Sequence, residues 1–153
     1  MLLYVVRHGE AQPQQADPGL TENGKKNVQK IAEFLQGMGV LVESIEESGR
    51  KRASQTAAIM AAALTPGRMA ARAGGLGPND PVDPVAERLE SEAADRMLVG
   101  HLPFLARLVS RLLLGREDPE IFLFQPAGTI CLERGANLRW TMRWMIGPDM
   151  LST

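Results

Sequence analysis

Continuous apolar runs alternate with amphipathic segments along most of the chain. Residues 2–6, LLYVV, are apolar and rich in β-branched side chains, which predicts a strand buried on both faces of a parallel sheet. Residues 96–100, RMLVG, have the same character and end at His101. A weaker strand is expected within residues 40–49, and a short one within residues 68–73.

Helical periodicity fills the spaces between these strands. Helices are expected within residues 18–39, 50–64, 85–94 and 103–115. Thr21 is a suitable N-cap for the first, and the last is bounded by Pro103 and Gly115. The glycines and prolines of residues 74–84 predict a loop.

The alternation of strands and helices predicts an α/β fold, a three-layer α/β/α sandwich. Its central sheet is expected to be mostly parallel, with an antiparallel strand near one edge. Residues 121–146 are expected to form strands, with RGAN at 134–137 as a hairpin turn. The spacing of four predicts that Trp140 and Trp144 lie on one face of a strand. Glu46 and Glu47 make the second strand unusually polar, so we expect it to be short or exposed.

Composition and charge narrow the class of protein. The length of 153 residues predicts one domain over residues 1–153, and 44% hydrophobic and 23% charged residues are ordinary for a globular protein. The net charge of −1 argues against nucleic acid and anionic membranes as partners. One cysteine, Cys131, excludes an internal disulfide. No apolar run reaches about 18 residues, and no signal segment is recognisable, so a cytoplasmic location is expected.

The candidate chemistry lies where strands end. The chain has two histidines, and both His8 and His101 directly follow a predicted buried strand. Ligands of open α/β sheets bind outside the carboxyl ends of the strands, so the two imidazoles can face each other across one crevice. Arg7 offers a fork of donors suited to phosphate or carboxylate oxygens. It would also keep a neighbouring imidazole neutral and nucleophilic.

A third segment, SGRKRASQTA, places Arg52 near the start of the alanine-rich helix. A helix N-terminus favours anions, and an arginine there strengthens a phosphate site. Arg50 and Lys51 are expected to form a solvated basic patch that could steer an anionic substrate. For Gln55 and Thr56, one turn further on, helix packing and a ligand role are equally open.

In combination these segments resemble the histidine phosphatase superfamily, also called phosphoglycerate-mutase-like. RHGEA, LTENG, SGRKRASQTA and LVGHLPFLARL agree with the family in order and spacing through residues 2–112. The short length and the GHLP form are most similar to the SixA-type phosphohistidine phosphatases. The resemblance implies that His8 is a nucleophile that transiently carries the phosphoryl group. It also implies that Arg7, Arg52 and His101 bind the phosphate oxygens. Two arginines and a protonated or donating His101 would balance a dianionic phosphoryl group, so no metal or other cofactor is expected.

The loop after the third strand departs from the larger members, which place an acidic proton donor there. Here it reads GGLGPNDPVDPVAERL, and Asp80 is the nearest candidate for a general acid. The LGPNDP stretch resembles the loop of the SixA group, which lacks the usual acid. Expelling an alkoxide requires a proton donor, whereas an imidazole leaves more readily. A site without a good proton donor therefore favours phosphohistidine as the substrate.

Three functions remain open at this point. The first is a protein phosphohistidine phosphatase, whose partner could be a histidine phosphotransfer domain. The second is a small-molecule phosphomonoesterase that uses Asp80 as its acid. The third, of another class, is a phosphate- or phosphoprotein-binding module without turnover. The presence of Arg7, His8, Arg52 and His101 together argues against the third.

Overall fold

The computed structural model describes residues 1–151 of the chain. They form six strands and four α-helices, followed by a 3-10 turn at Pro148–Met150. The elements in chain order are β1 (Leu2–Arg7), α1 (Glu22–Gly37), β2 (Ser44–Glu47), α2 (Lys51–Leu64), β3 (Ala71–Arg72), α3 (Asp83–Ser91), β4 (Arg96–Gly100), α4 (Phe104–Leu114), β5 (Thr129–Arg134) and β6 (Trp140–Ile146).

The strands form one sheet in the order β3-β2-β4-β1-β5-β6. The first four are mutually parallel, while β5 runs antiparallel to β1 and to the edge strand β6. This confirms the predicted fold, a mostly parallel sheet with an antiparallel strand near one edge. The parallel order also brings the carboxyl ends of β2, β4 and β1 side by side.

Alternating side chains of the sheet divide the core into two layers. Tyr4 and Val6 of β1 pack with the apolar faces of α1 and α2. Leu3 and Val5 point the other way, to α3 and α4. The same alternation directs Arg7 and His8, the next residues, toward opposite faces of the sheet.

The ends of the helices follow from local sequence signals. Thr21 caps α1 by accepting a hydrogen bond from the amide of Gly24 at 2.9 Å. Gly115 ends α4 in the left-handed region, with φ at 80°. Among residues 1–151, no helix is both long and apolar enough to cross a membrane.

The second strand is short, as expected, but the alternative that it is exposed is wrong. β2 lies between β3 and β4, and Glu46 and Glu47 are 8% and 5% exposed. The two carboxylates point to opposite faces, where each finds a partner. Glu46 pairs with arginines of α3 and β4, and Glu47 accepts a hydrogen bond from the hydroxyl of Ser54. Paired charges can be buried where isolated ones cannot.

The C-terminal region contains a second correction. Residues 121–128 are irregular, and the strands begin at Thr129, with a tight turn after Arg134. The pairing of β5 with β6 shifts register, so that Cys131 faces Trp144 while Leu132 faces Met142. This bulge adds one residue to β6 and reverses the alternation beyond it. Trp140 and Trp144 therefore pack into different core layers, not onto one face.

Candidate active site

Three neighbouring parallel strands each end in a polar residue at the same edge of the sheet. His8 follows β1, His101 follows β4, and Ser48 follows β2. Because β4 lies between the other two strands, His101 lies between His8 and Ser48. The amide of His8 donates to the carbonyl of Gly100 at 2.9 Å, which extends the β1–β4 pairing up to the two histidines. Their rings are 5.1 Å apart between centroids.

The contacts of the His8 ring define its tautomer. Its Nδ1 lies 2.7 Å from the carbonyl oxygen of Gly9, which can only accept a hydrogen bond, so Nδ1 carries the proton. Nε2 then holds a lone pair and accepts from Nε of Arg52 at 3.4 Å. The amide of Gly9 donates to the hydroxyl of Thr56 at 3.0 Å. The loop after β1 is thus attached to the first turns of α2.

His101 is almost fully buried, with 1% of its surface exposed. Its Nε2 lies 2.6 Å from the hydroxyl oxygen of Ser48, which also accepts from the amide of Arg50 at 3.3 Å. Its Nδ1 is buried and has no hydrogen-bond partner among the residues that the structure describes. Ser48 is therefore the side chain that fixes the orientation of this ring.

Arg7 approaches the site from the other face of the sheet. Its Nη1 donates to the carbonyl of Phe124 at 2.6 Å, and its Nε is buried with no partner within residues 1–151. Ala127, which has a left-handed φ of 65°, donates its amide to the carbonyls of Arg7 and His8 at 3.1 Å. Backbone groups of Phe124 and Ala127, in the irregular segment before β5, thus form a brace that holds the end of β1 in place.

The electrostatics keep both imidazoles neutral. Burial lowers the pKa of His8 to about 4. The hydrogen bond to the carbonyl of Gly9 opposes this shift, and the charges of Arg52 and Arg7 add to it. Burial, Arg52 and His8 lower the pKa of His101 to about 3. Burial also lowers the pKa of both arginines from their usual high value. A dianion placed among these groups would relieve the repulsion.

The other residues that the sequence indicated are two buried or hydrogen-bonded side chains of α2, Thr56 and Gln55, and two exposed basic ones. Thr56 is fully buried and supports Gly9, while the side chain of Gln55 accepts a hydrogen bond from the amide of Leu20 at 2.7 Å. Both positions thus hold loops of the site in place. Arg50 and Lys51 are exposed, as expected of a solvated basic patch.

Asp80 lies in the loop before α3, where its carboxylate closes a tight turn. Its Oδ2 accepts from the amide of Gly77 at 2.7 Å, and its own amide donates to the carbonyl of Gly77 at 3.2 Å. This is the turn chemistry typical of aspartate. The contact occupies one of the carboxylate oxygens that a proton donor would use.

Sequence reasoning missed Ser48 and the brace formed by Phe124 and Ala127. Ser48 was recoverable, because it directly follows a strand just as the two histidines do. The brace acts through backbone groups, so side-chain identity carries no signal for it. Within the described part of the chain, no three His, Cys, Asp or Glu side chains are grouped closely enough to hold a metal ion. The site thus contains a nitrogen lone pair on His8, surrounded by hydrogen-bond donors that suit an anion.

The chain is similar to known proteins in sequence and in fold. The family model of the histidine phosphatase superfamily (branch 1) matches residues 3–72. Phosphohistidine phosphatase SixA of Escherichia coli is 28% identical, over 97% of this chain and 94% of that protein. An uncharacterized protein of Picosynechococcus sp. is 34% identical, over 89% of this chain and 87% of its own length.

A solved structure of the protein histidine phosphatase SixA, complexed with tungstate, superimposes with a TM-score of 0.89. The two chains are 26% identical, and the match covers 99% of this chain and 100% of that one. A phosphoserine phosphatase of Entamoeba histolytica shares the fold, with a TM-score of 0.76 at 16% identity. The chain therefore belongs to the histidine phosphatase superfamily, as a SixA-type member.

Proposed function

We propose that this protein is a metal-independent phosphatase that removes the phosphoryl group from phosphohistidine in a protein. His8 is the nucleophile, and Arg7, Arg52 and His101 bind the phosphoryl oxygens. The observation that carries the proposal is the unprotonated Nε2 of His8, held beside a guanidinium and 5.1 Å, between ring centroids, from a second imidazole.

In the first step, the lone pair on Nε2 of His8 forms a bond to phosphorus while the phosphorus–nitrogen bond of the substrate breaks. The leaving imidazole takes the bonding pair and departs neutral when its other ring nitrogen carries a proton. The arginines balance the charge on the equatorial oxygens, which is the main requirement of phosphoryl transfer. In the free protein, Arg52 donates a hydrogen bond to this lone pair. When the substrate binds, its guanidinium moves to the phosphoryl oxygens.

In the second step, water attacks phosphorus and the bond to Nε2 of His8 breaks. Nδ1 keeps its proton, which is hydrogen-bonded to the carbonyl of Gly9, so the His8 ring also leaves as a neutral imidazole. The proton released by water passes to the phosphate product or to solvent. The same contact that fixes the nucleophilic tautomer thus improves the leaving group.

The turn-closing contact of Asp80 favours phosphohistidine over a phosphate ester. An alkoxide needs a proton in the transition state, and Asp80 already accepts from the Gly77 amide. The likeness to SixA points to the same substrate class. Tungstate is a tetrahedral oxyanion like phosphate, so its presence in that complex supports an anion site of this type. The partner would be a phosphorylated protein such as a histidine phosphotransfer domain.

The proposal is tested by hydrolysis of a phosphohistidine peptide and of phosphoramidate, in the presence of a chelator. We expect both to be hydrolysed, with a phosphoryl group trapped on His8 after rapid acid-free quenching and detected by peptide mass spectrometry. His8→Asn keeps a donor near Gly9 but removes Nε2. It should reduce the rate by on the order of 10³-fold or more and abolish the trapped adduct.

Arg139→Gln is the matched control, because Arg139 is exposed in the hairpin beyond the opposite end of β1. This variant should behave like the parent protein. Faster turnover of sugar phosphates than of phosphohistidine would replace the proposal with a small-molecule phosphomonoesterase. Phosphate binding without turnover of any substrate would identify a binding module instead.

A further inference from the structure

The row of residues at the carboxyl edge of the sheet extends one strand beyond the site. β3 pairs with β2 so that Arg72 lies beside Glu47, the residue before Ser48. Arg72, Ser48, His101 and His8 therefore come from the ends of four consecutive parallel strands. Neighbouring strands are about 4.8 Å apart, so the β3 backbone lies about 14 Å from that of β1.

A cleft of about 320 Å³ lies at the β3 end of this row. It is lined by Ala16, Asp17, Ser48, Gly49, Arg50 and Arg72. Ser48, which contacts His101, is shared between the cleft and the site. A ligand in the cleft is therefore next to a phosphoryl group held by the histidines.

The cleft has an excess of positive charge. The side chain of Arg50 makes no hydrogen bond or ion pair with any residue between 1 and 151. The side chain of Arg72 is 75% exposed and has only long contacts, 4.0 Å from Nε to a carboxylate oxygen of Glu47 and 3.4 Å from Nη2 to the carbonyl of Gly49. Asp17 is the opposing carboxylate, and it accepts from the amide of Lys51 at 3.2 Å.

The backbone at Gly49 leaves room for the side chain of Arg72 beside the cleft. A Cβ at Gly49 would lie 2.8 Å from Nε of Arg72, and Gly49 has a left-handed φ of 91°. The absence of a side chain at Gly49 thus lets the guanidinium lie against the loop that leads to α2. Arg72 presents a fixed fork of donors, the arrangement that binds a carboxylate in two places.

We propose that this cleft is a second substrate subsite, which binds a carboxylate side chain of the protein substrate near its phosphohistidine. The partner is thus an acidic segment, and the subsite discriminates protein substrates that share the same phosphorylated residue. The proposal rests on the proposed phosphohistidine phosphatase function, because it concerns the flanks of that substrate.

Geometry sets the spacing of the acidic residue. The guanidinium reaches back from β3 toward the site, so the carboxylate lies about 10 Å from phosphorus. In an extended segment this distance corresponds to about three residues. A trough of about 640 Å³ continues from Arg72 along the alanine face of α2, lined by Ala58, Ala62 and Met69 among others. Met69 is 94% exposed, so the segment has apolar surface to follow beyond the cleft.

The experiment compares two phosphohistidine peptides of equal length. One carries glutamates three and four residues from the phosphohistidine on both sides, and the other carries glutamines there. We expect kcat/KM to be about five-fold higher for the glutamate peptide at low salt, and the ratio to fall toward one at about 0.5 M salt. Arg72→Gln and Arg50→Gln should each lower the ratio, while Arg72→Lys should preserve most of it.

Arg139→Gln is again the matched control and should leave the ratio unchanged. Thermal unfolding of each variant establishes that it is folded, and because the readout is a ratio, any general loss of activity cancels. A ratio of one in the parent protein, or a ratio that survives both Arg72→Gln and Arg50→Gln, overturns the subsite. Failure of the parent protein to hydrolyse either peptide, or phosphoramidate, instead overturns the proposed function.

Discussion

The hydroxyl oxygen of Ser48 lies 2.6 Å from Nε2 of His101. The two residues follow neighbouring parallel strands, and the contact ties a loop position to a buried imidazole whose other nitrogen has no partner within residues 1–151. Ser48 can donate to the neutral ring and accept from the protonated one. It therefore supports His101 in both charge states.

We expect Ser48→Ala to lower kcat for phosphohistidine about 10-fold, because His101 then loses the contact that orients its ring. Ser48→Thr keeps the hydroxyl and should retain most of the activity. A positioning role also predicts a changed pH profile, since the protonated form of His101 loses an acceptor. Equal kcat and equal pH profiles for the parent protein and Ser48→Ala would contradict this role.

The depressed pKa of His8 predicts the sign of a stability change with pH. An unfolded histidine titrates near pH 6.5, whereas burial lowers the pKa of folded His8 to about 4. Between these values the unfolded chain binds more protons, so the contribution of His8 is complete above about pH 6.5 and is lost as pH falls toward 4.

His8→Asn should therefore show a smaller drop in the free energy of unfolding between pH 7 and pH 5 than the parent protein. Urea denaturation at the two pH values measures this difference. The two proteins differ only at position 8, so the difference between the two drops reports on His8. An equal drop in both would mean that His8 is not protected from protonation by the fold.

Two glycines of α1 make a matched pair. A Cβ at Gly24 would overlap the carbonyl oxygen of Glu10, which also accepts from the amide of Thr21 at 2.9 Å. Gly24→Ala should destabilise the protein by about 1–3 kcal/mol and reduce activity, because the displaced loop also carries His8. Gly37→Ala meets nothing within 4 Å and should be neutral, or stabilising by up to about 1 kcal/mol.

Chemical denaturation and phosphoramidate hydrolysis, measured on both variants, separate the two effects. If Gly24→Ala were as stable and as active as Gly37→Ala, the close approach of α1 to the loop would not matter for the site.

Glu46 is a buried anion between two cations. Its carboxylate lies 3.0 Å from Nη2 of Arg88 and 3.0 Å from Nη1 of Arg96. Glu46→Gln should cost about 2–3 kcal/mol, below the roughly 3–5 kcal/mol for a fully buried pair, because the Arg88 side chain is 36% exposed. Glu133→Gln, in an exposed pair with Arg143, should cost less than about 1 kcal/mol. Equal losses in the two variants would refute the difference between the sites.

The parts of the fold that depend on local pattern were predictable. The apolar runs located β1 and β4, and the rule that ligands bind at the carboxyl ends of strands placed His8 and His101 together. The same rule, applied to β2, would have added Ser48. Glu46 and Glu47 make the sequence of that strand polar, which hides its buried character.

The features that were predicted wrongly or missed depend on interactions between residues far apart in the sequence. The burial of Glu46 depends on arginines 42 and 50 positions further along the chain, which no local window contains. The bulge in β6 moves Trp144 to the opposite face from Trp140, and a strict period of two cannot anticipate it. The brace on Arg7 is made by the carbonyl of Phe124, a group that every residue possesses.

The pairing of β1 with β4 also governs when the candidate active site can form. His8 and His101 meet only after that pairing forms, and the brace at Phe124 comes later still along the chain. Contacts of such long sequence separation form slowly, because a large loop must close first. A nascent chain emerging from the ribosome therefore exposes His8 long before its neighbours at the site are in place, and under the proposed mechanism phosphoryl transfer begins only once the sheet is complete.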